Sequence, residues 1–308
     1  AASDVYKRQE LHPSGRCIGL TAPSHSTRIV MNERLLFLIL FGVIGVLWWI
    51  AGYWRRKAGK AAFAAARLAD TAEERDRYCR LAVLAGHRDA CRMFCFSHPN
   101  LFEDHPPLKP FKLRGINIAF YGYYYPSRYN ALLNDEQRAF CRSIYQFKQG
   151  DIHGIEFFKT CMNALQLKKR PYHIMFMPCS NWIKYGQRFK RLDWYIGKHR
   201  QDLTSGLYDV DICDARESLH EAKGGEKRIL ERNYLITGNI KGKEIIIIDD
   251  VLTTGQSVAD YKEEIERCGG KVVAAIFYGK TFSMPSMLLV QIHIWGNHIA
   301  HIIERLSL

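Results

Sequence analysis

Two adjacent carboxylates, followed within a few residues by hydroxyls and a glycine, form the most reactive-looking stretch of this chain. It reads Glu244-Ile-Ile-Ile-Ile-Asp249-Asp250-Val251-Leu252-Thr253-Thr254-Gly255-Gln256-Ser257. Four consecutive isoleucines indicate a buried strand, and the spacing after Ser257 indicates a helix. The acids then stand at the carboxyl end of a strand, where open α/β proteins bind ligands. Adjacent carboxylates accept from vicinal sugar hydroxyls, and Asp249 or Asp250 can also help hold Mg²⁺. Backbone N–H groups of Thr253, Thr254, Gly255, Gln256 and Ser257, with the helix N-terminus behind them, form an anion cradle suited to a phosphate monoester. Gly255 permits close backbone approach, and the Thr and Ser hydroxyls can donate to phosphate oxygens. The plainer alternative is a capped core strand with an incidental acid pair. A Walker B strand would need a G-x-x-x-x-G-K-[ST] loop, and Gly279-Lys280-Thr281 lacks the earlier glycine.

At these residues the chain resembles the type I phosphoribosyltransferases, whose signature is four apolar residues, two acids, two apolar residues and a T/D-T-G-x-[ST] loop. Further residues narrow the resemblance to the ComF-like subgroup. Tyr123 to Tyr125, Ile144 and Phe147-Lys148-Gln149-Gly150-Asp151 look like the stretch that precedes its core. Met177-Pro178-Cys179-Ser180, with Lys184, Arg188, Phe189, Lys190 and Arg191 after it, resembles its V-P-x-P strand end and R-x-R-x-G-F-N-Q helix. Two departures stand out: the cysteine-rich zinc ribbon that often opens such proteins is absent, and Phe189 is followed by Lys-Arg-Leu-Asp instead of Asn-Gln.

The resemblance implies binding of phosphoribosyl pyrophosphate with Mg²⁺ and transfer of ribose 5-phosphate to an unidentified nitrogen acceptor, with release of pyrophosphate. It puts the 5′-phosphate on Thr253 to Ser257 and the ribose hydroxyls and Mg²⁺ on Asp249 and Asp250. Pyrophosphate would meet Pro178, Cys179 and Ser180. Lys227 and Arg228 would be the catalytic cations, on a basic, glycine-containing loop from Asp214 to Arg232 in the place of the family's mobile loop. A merely solvated charged loop reads equally well. Where purine enzymes of the family carry an aspartate base, this loop has Thr253. A membrane-bound sensor that binds the same ligand, or a nucleotide, without turning it over is the second reading.

The elements that must position these residues follow from alternation. Strands are expected at Ile116 to Tyr125, Tyr172 to Met177, Gly206 to Cys213, Lys243 to Ile248 and Lys271 to Tyr278, and helices at 134–149, 183–200 and Ser257 to Cys268. That pattern predicts an α/β fold, a parallel sheet covered by helices, over residues 114–280. Ahead of it, Pro99, Pro106, Pro107 and Pro110 mark a linker at 98–113. Residues 58–97 read as an Ala-rich helical hairpin that turns at Gly86; part of it resembles a Sel-type repeat. The apolar tail at 281–308 is expected to pack on the sheet edge or on a partner subunit, which leaves a homodimer open.

From Leu35 to Trp54 the chain carries no charge, enough at 1.5 Å per residue to cross the ~30 Å hydrocarbon layer. Trp48, Trp49, Tyr53 and Trp54 sit at its far end, directly ahead of Arg55, Arg56, Lys57 and Lys60. A single-pass anchor at 35–54 with the C-terminal domain in the cytoplasm follows. A buried helix and a cleaved signal are the alternatives. Residues 1–30 show no periodicity and read as a leader outside the fold. The 44 Lys+Arg against 31 Asp+Glu give +13, which suits phosphorylated small molecules, membranes or nucleic acid without specifying nucleic acid. Nine cysteines without a CxxC pair suggest a reducing compartment.

Overall fold

A computed structural model of the chain describes residues 25–152, 154–212 and 233–306. The chain divides into two compact units, residues 1–57 and 58–308.

Helix α1 runs from His25 to Leu68. Its Leu35–Leu68 stretch is, among the described residues, the one helix long and apolar enough to cross a membrane. Its large apolar side chains from Leu35 to Trp54 are all exposed. Of the expected leader, residues 1–24 lie outside the described residues.

The second unit begins inside α1. Residues 58–97 form the end of α1 plus two further helices, α2 (Ala72–Leu84) and α3 (Arg88–Ser97), where the sequence suggested one hairpin. The extra break falls at Thr71, whose hydroxyl caps α2 by accepting from Glu74 N at 3.2 Å. Phe63 stacks on His87 with ring centres 4.3 Å apart, tying α1 to the α2–α3 turn.

The linker is partly structured. Strand β1 (Phe111–Leu113) pairs antiparallel with β2 (Ile116–Tyr124) through a two-residue turn at Arg114 and Gly115, both at positive φ. Such turns match the twist of a hairpin. The sheet is therefore mixed, with one antiparallel edge strand on a parallel core.

Helix α4 (Asp135–Gln149) opens on a capping box between Asn134 and Gln137 and ends at Gly150 in the left-handed conformation. Helix α5 (Ile155–Leu165), not anticipated, follows; Phe157, Phe158, Cys161 and Leu165 bury one face at helical spacing. Then come β3 (Tyr172–Phe176) and α6 (Trp182–His199).

Of the strand expected at Gly206 to Cys213, only Val210–Ile212 is a strand; Cys213 lies outside the described residues, and a short strand not anticipated precedes Gly206. β4 (Leu203–Ser205) joins the main sheet beside β3, whereas β5 (Val210–Ile212) pairs antiparallel with β6 (Tyr234–Ile236) in a small second sheet. The chain turns between them, with Asp209 N donating to Gly206 O at 3.1 Å. A Cβ at Gly206 would stand 2.5 Å from His173 Nε2, so only glycine fits there.

Strand β7 (Glu244–Leu252), helix α7 (Gln256–Arg267), strand β8 (Lys271–Thr281) and helix α8 (Met287–Leu306) complete the chain. The main sheet has the order β1-β2-β8-β7-β3-β4, parallel except for β1. Ile245 to Ile248 of β7 are wholly buried, as expected for a central parallel strand covered on both faces. The tail does not lie on the sheet edge. It forms α8, whose Val290 and Ile294 are buried and which packs against α2 and α3.

Candidate active site

Asp249 and Asp250 stand near the carboxyl end of β7, between β8 and β3 in the sheet. Alternation along the strand separates their side chains, and Asp249 Oδ1 folds back to accept from Asp250 N at 2.7 Å. Asp250 is almost buried, at 6% exposure. Two cations from other elements meet it. Arg188 of α6 contacts Asp250 Oδ2 through Nη1, which also lies 3.9 Å from Asp249 Oδ1. Lys148, in the last turn of α4, places Nζ 3.5 Å from Asp250 Oδ1.

These charges set the electrostatics. Burial, and after it the neighbouring Asp250 carboxylate, pushes Asp249 up to about 7, although Arg188 and Lys148 pull it down. Although Arg188 and Lys148 here meet both oxygens of Asp250, adjacent carboxylates at a partly buried strand end are ligands Mg²⁺ uses when substrate phosphates supply further oxygens. Asp249 and Asp250 therefore fit that ion.

Past the acids, Thr253, Thr254, Gln256 and Ser257 are exposed around a buried Gly255. Gly255 has φ +75° and is the residue from which α7 starts. Gln256 N donates to Thr254 Oγ1 at 3.4 Å, and Gln256 Nε2 to Asp260 Oδ1 at 2.6 Å. The first-turn amides of α7 have no partners within the helix and carry its positive dipole end, which favours negative charge at this loop.

The turn Pro178-Cys179-Ser180 continues β3, the neighbour of β7, and Met177 N donates to Ile248 O at 2.9 Å. Cys179 is buried, which pushes its thiol up to about 12 against the opposing influence of nearby Arg188. It is an inert thiol. Asn233 Nδ2 donates to Cys179 O at 3.2 Å. The fold thus brings together the acid pair, the hydroxyl loop and this turn at one edge of the sheet. Lys227 and Arg228 lie outside the described residues.

Nothing in the spacing of Arg188 or Lys148 in the sequence pointed to the acids. Their pairing is a product of tertiary folding. Beside Lys148, a cavity of about 450 Å³ opens between β2 and α4, lined by Tyr124, Tyr125, Arg142, Tyr145 and Lys148 among others.

The sequence of this region is similar to that of known proteins. Residues 201–281 match the family model described as phosphoribosyl transferase domain. The matched segment runs from β4 to β8 and contains Asp249, Asp250 and the Thr253 to Ser257 loop. Over 57 residues the chain is also 42% identical to an orotate phosphoribosyltransferase of Sulfolobus acidocaldarius. That stretch is 18% of this chain, which spans 26% of the relative's length.

Proposed function

We propose that this protein is a membrane-anchored phosphoribosyltransferase of the type I kind. It binds phosphoribosyl pyrophosphate with Mg²⁺ at the carboxyl edge of β3 and β7 and transfers ribose 5-phosphate to a nitrogen acceptor, releasing pyrophosphate. The observation that carries this reading is the continuity of one strand end. A partly buried carboxylate pair passes directly into an exposed hydroxyl loop whose left-handed glycine starts a helix.

On this reading Asp249 and Asp250 accept hydrogen bonds from the ribose hydroxyls. Thr253, Thr254, Ser257 and the opening amides of α7 hold the 5′-phosphate. The Pro178 to Ser180 turn offers backbone groups to the pyrophosphate. Mg²⁺, when bound by the acid pair and the ligand, offsets negative charge that grows on the leaving pyrophosphate as the sugar becomes oxocarbenium-like. The cavity beside Lys148 is the place for the acceptor. Its tyrosines suit a planar ring, and Arg142 with Lys148 suits an anionic one. The likeness to an orotate phosphoribosyltransferase of Sulfolobus acidocaldarius makes orotate the first acceptor to try. The anchor is residues 35–54, with the ComF-like domain on the cytoplasmic side.

Pyrophosphate release by the full chain in detergent, with phosphoribosyl pyrophosphate, Mg²⁺ and a panel of nucleobases including orotate, tests the proposal. Release that depends on one acceptor supports it. Ligand binding with no release for any acceptor makes the protein a sensor, and failure to bind overturns both readings.

A further inference from the structure

Arg188 sits at a point where charge must be rearranged when a polyanionic ligand and a divalent cation arrive. Its side chain is only 16% exposed, and its guanidinium serves as counter-ion to Asp250 and, at longer range, Asp249. Arginine has five N–H donors, and Nε of Arg188 is buried with no hydrogen-bond partner among the described residues. A buried donor left unpaired is costly, so a guanidinium held to the acids through Nη1 but with its Nε–H unpartnered is incomplete in the ligand-free protein. The position is fixed by the same unit that makes the Pro178 to Ser180 turn. Asn181 caps α6 by accepting from Lys184 N at 2.9 Å, and Arg188 lies two turns further along. Arg188 is also close enough to Cys179, in that turn, to oppose the effect of burial on its thiol.

Building on the proposed phosphoribosyltransferase reading, we propose that Arg188 is a pyrophosphate-binding residue that the acid pair holds in place until the ligand arrives. The carboxylates cannot serve ribose hydroxyls and Mg²⁺ fully while a guanidinium covers them. A divalent cation at Asp249 and Asp250 repels the guanidinium, and the anion nearest its helix is the pyrophosphate over the Pro178 to Ser180 turn. Arg188 then exchanges carboxylate for phosphate oxygen, a geometry its planar fork matches and a lysine ammonium does not. Lys148 reaches Asp250 from the other side, on α4, and keeps one positive charge on the acid pair through the exchange.

The test separates the two halves of the ligand. Binding of ribose 5-phosphate and of inorganic pyrophosphate with Mg²⁺ is measured by calorimetry on the full chain in detergent, for wild type, Arg188→Lys and Arg188→Gln. Arg188→Lys keeps the charge on the acid pair, and its thermal midpoint checks that it folds; this protects the result if Arg188→Gln does not fold. The expected outcome is a pyrophosphate affinity weakened roughly 10- to 100-fold in the lysine variant, the scale of a lost hydrogen bond to a charged group, with ribose 5-phosphate affinity unchanged. Equal weakening of both ligands makes Arg188 a structural counter-ion only and overturns the inference, as does unchanged pyrophosphate binding. Wild type that binds ribose 5-phosphate but no pyrophosphate overturns the inference and leaves the phosphate loop standing. Wild type that binds neither overturns the functional reading itself.

Discussion

Gly255 of the hydroxyl loop lies against Leu113 of β1: a Cβ at this glycine would stand 2.6 Å from Leu113 Cδ2. The antiparallel edge hairpin therefore backs the loop, and the glycine is required twice, by this neighbour and by its φ of +75°. Gly255→Ala is expected to cost about 1–3 kcal/mol through the left-handed backbone alone and to abolish phosphate binding. Adding Leu113→Ala relieves the contact and not the backbone, so the double variant regains part of the stability and none of the binding. Thermal midpoints with and without ribose 5-phosphate check both statements. Full ligand binding by Gly255→Ala would contradict them.

Glu103, in the linker, accepts from Lys280 Nζ and from Ser283 N, each at 2.6 Å, and both charged side chains are nearly buried. Removing one member strands the other charge. Glu103→Ala is expected to destabilise the domain by about 3–5 kcal/mol, whereas Glu103→Leu with Lys280→Met costs far less. Denaturant unfolding of the two variants gives the comparison, and a smaller loss in the single variant than in the double one would count against this account.

His173 of β3 gives the stability a pH dependence. Its Nε2 donates to Asp209 Oδ2 at 2.6 Å, and Nδ1 lies 2.7 Å from Thr204 Oγ1. Burial first, and Lys243 next, hold its affinity for a proton below the usual 6.5 despite the pull of Asp209. The unfolded chain thus binds the proton more readily than the folded one. Stability from this group is complete above about pH 6.5 and is lost as pH falls toward the lower folded value. The thermal midpoint of wild type should drop more steeply between pH 7 and 5 than that of His173→Gln. Parallel curves would remove His173 as the cause.

The proposed membrane anchor makes a prediction about fractionation. Full-length chain should remain with membranes through high salt and alkaline washing and be released by detergent, and protease added to intact cells should spare residues 114–280. Recovery in the soluble fraction, or digestion of that domain in unbroken cells, contradicts the proposed topology.

Local patterns made most of the sheet legible. The four isoleucines of β7 and the alternation of strand and helix define a helix-covered sheet, and the acid pair with its loop was visible as a contiguous string. What sequence could not supply depended on contacts between distant segments. β4 was missed and β5 was begun too early, because Gly206 looks like a strand start until its turn over His173 is seen. β1 was hidden in a proline-rich stretch and exists because Arg114 and Gly115 turn it onto β2. Helix α5 did carry a helical signal in Phe157, Phe158, Cys161 and Leu165 that spacing alone reveals. The meeting of Arg188, Lys148 and Asp250 comes from three separate elements, and no spacing within any one of them encodes it.

The most direct test of the central claim is calorimetric titration of the full chain in detergent with phosphoribosyl pyrophosphate in the presence of Mg²⁺, wild type beside Asp250→Asn. The account predicts saturable binding of one ligand per site by wild type, with a thermal stabilisation of about 2.7 kcal/mol at a hundredfold excess over the dissociation constant, and loss of both in a folded Asp250→Asn protein. Absence of binding to wild type, or equal binding by the two proteins, would contradict the assignment of the acid pair and its loop as the ligand site.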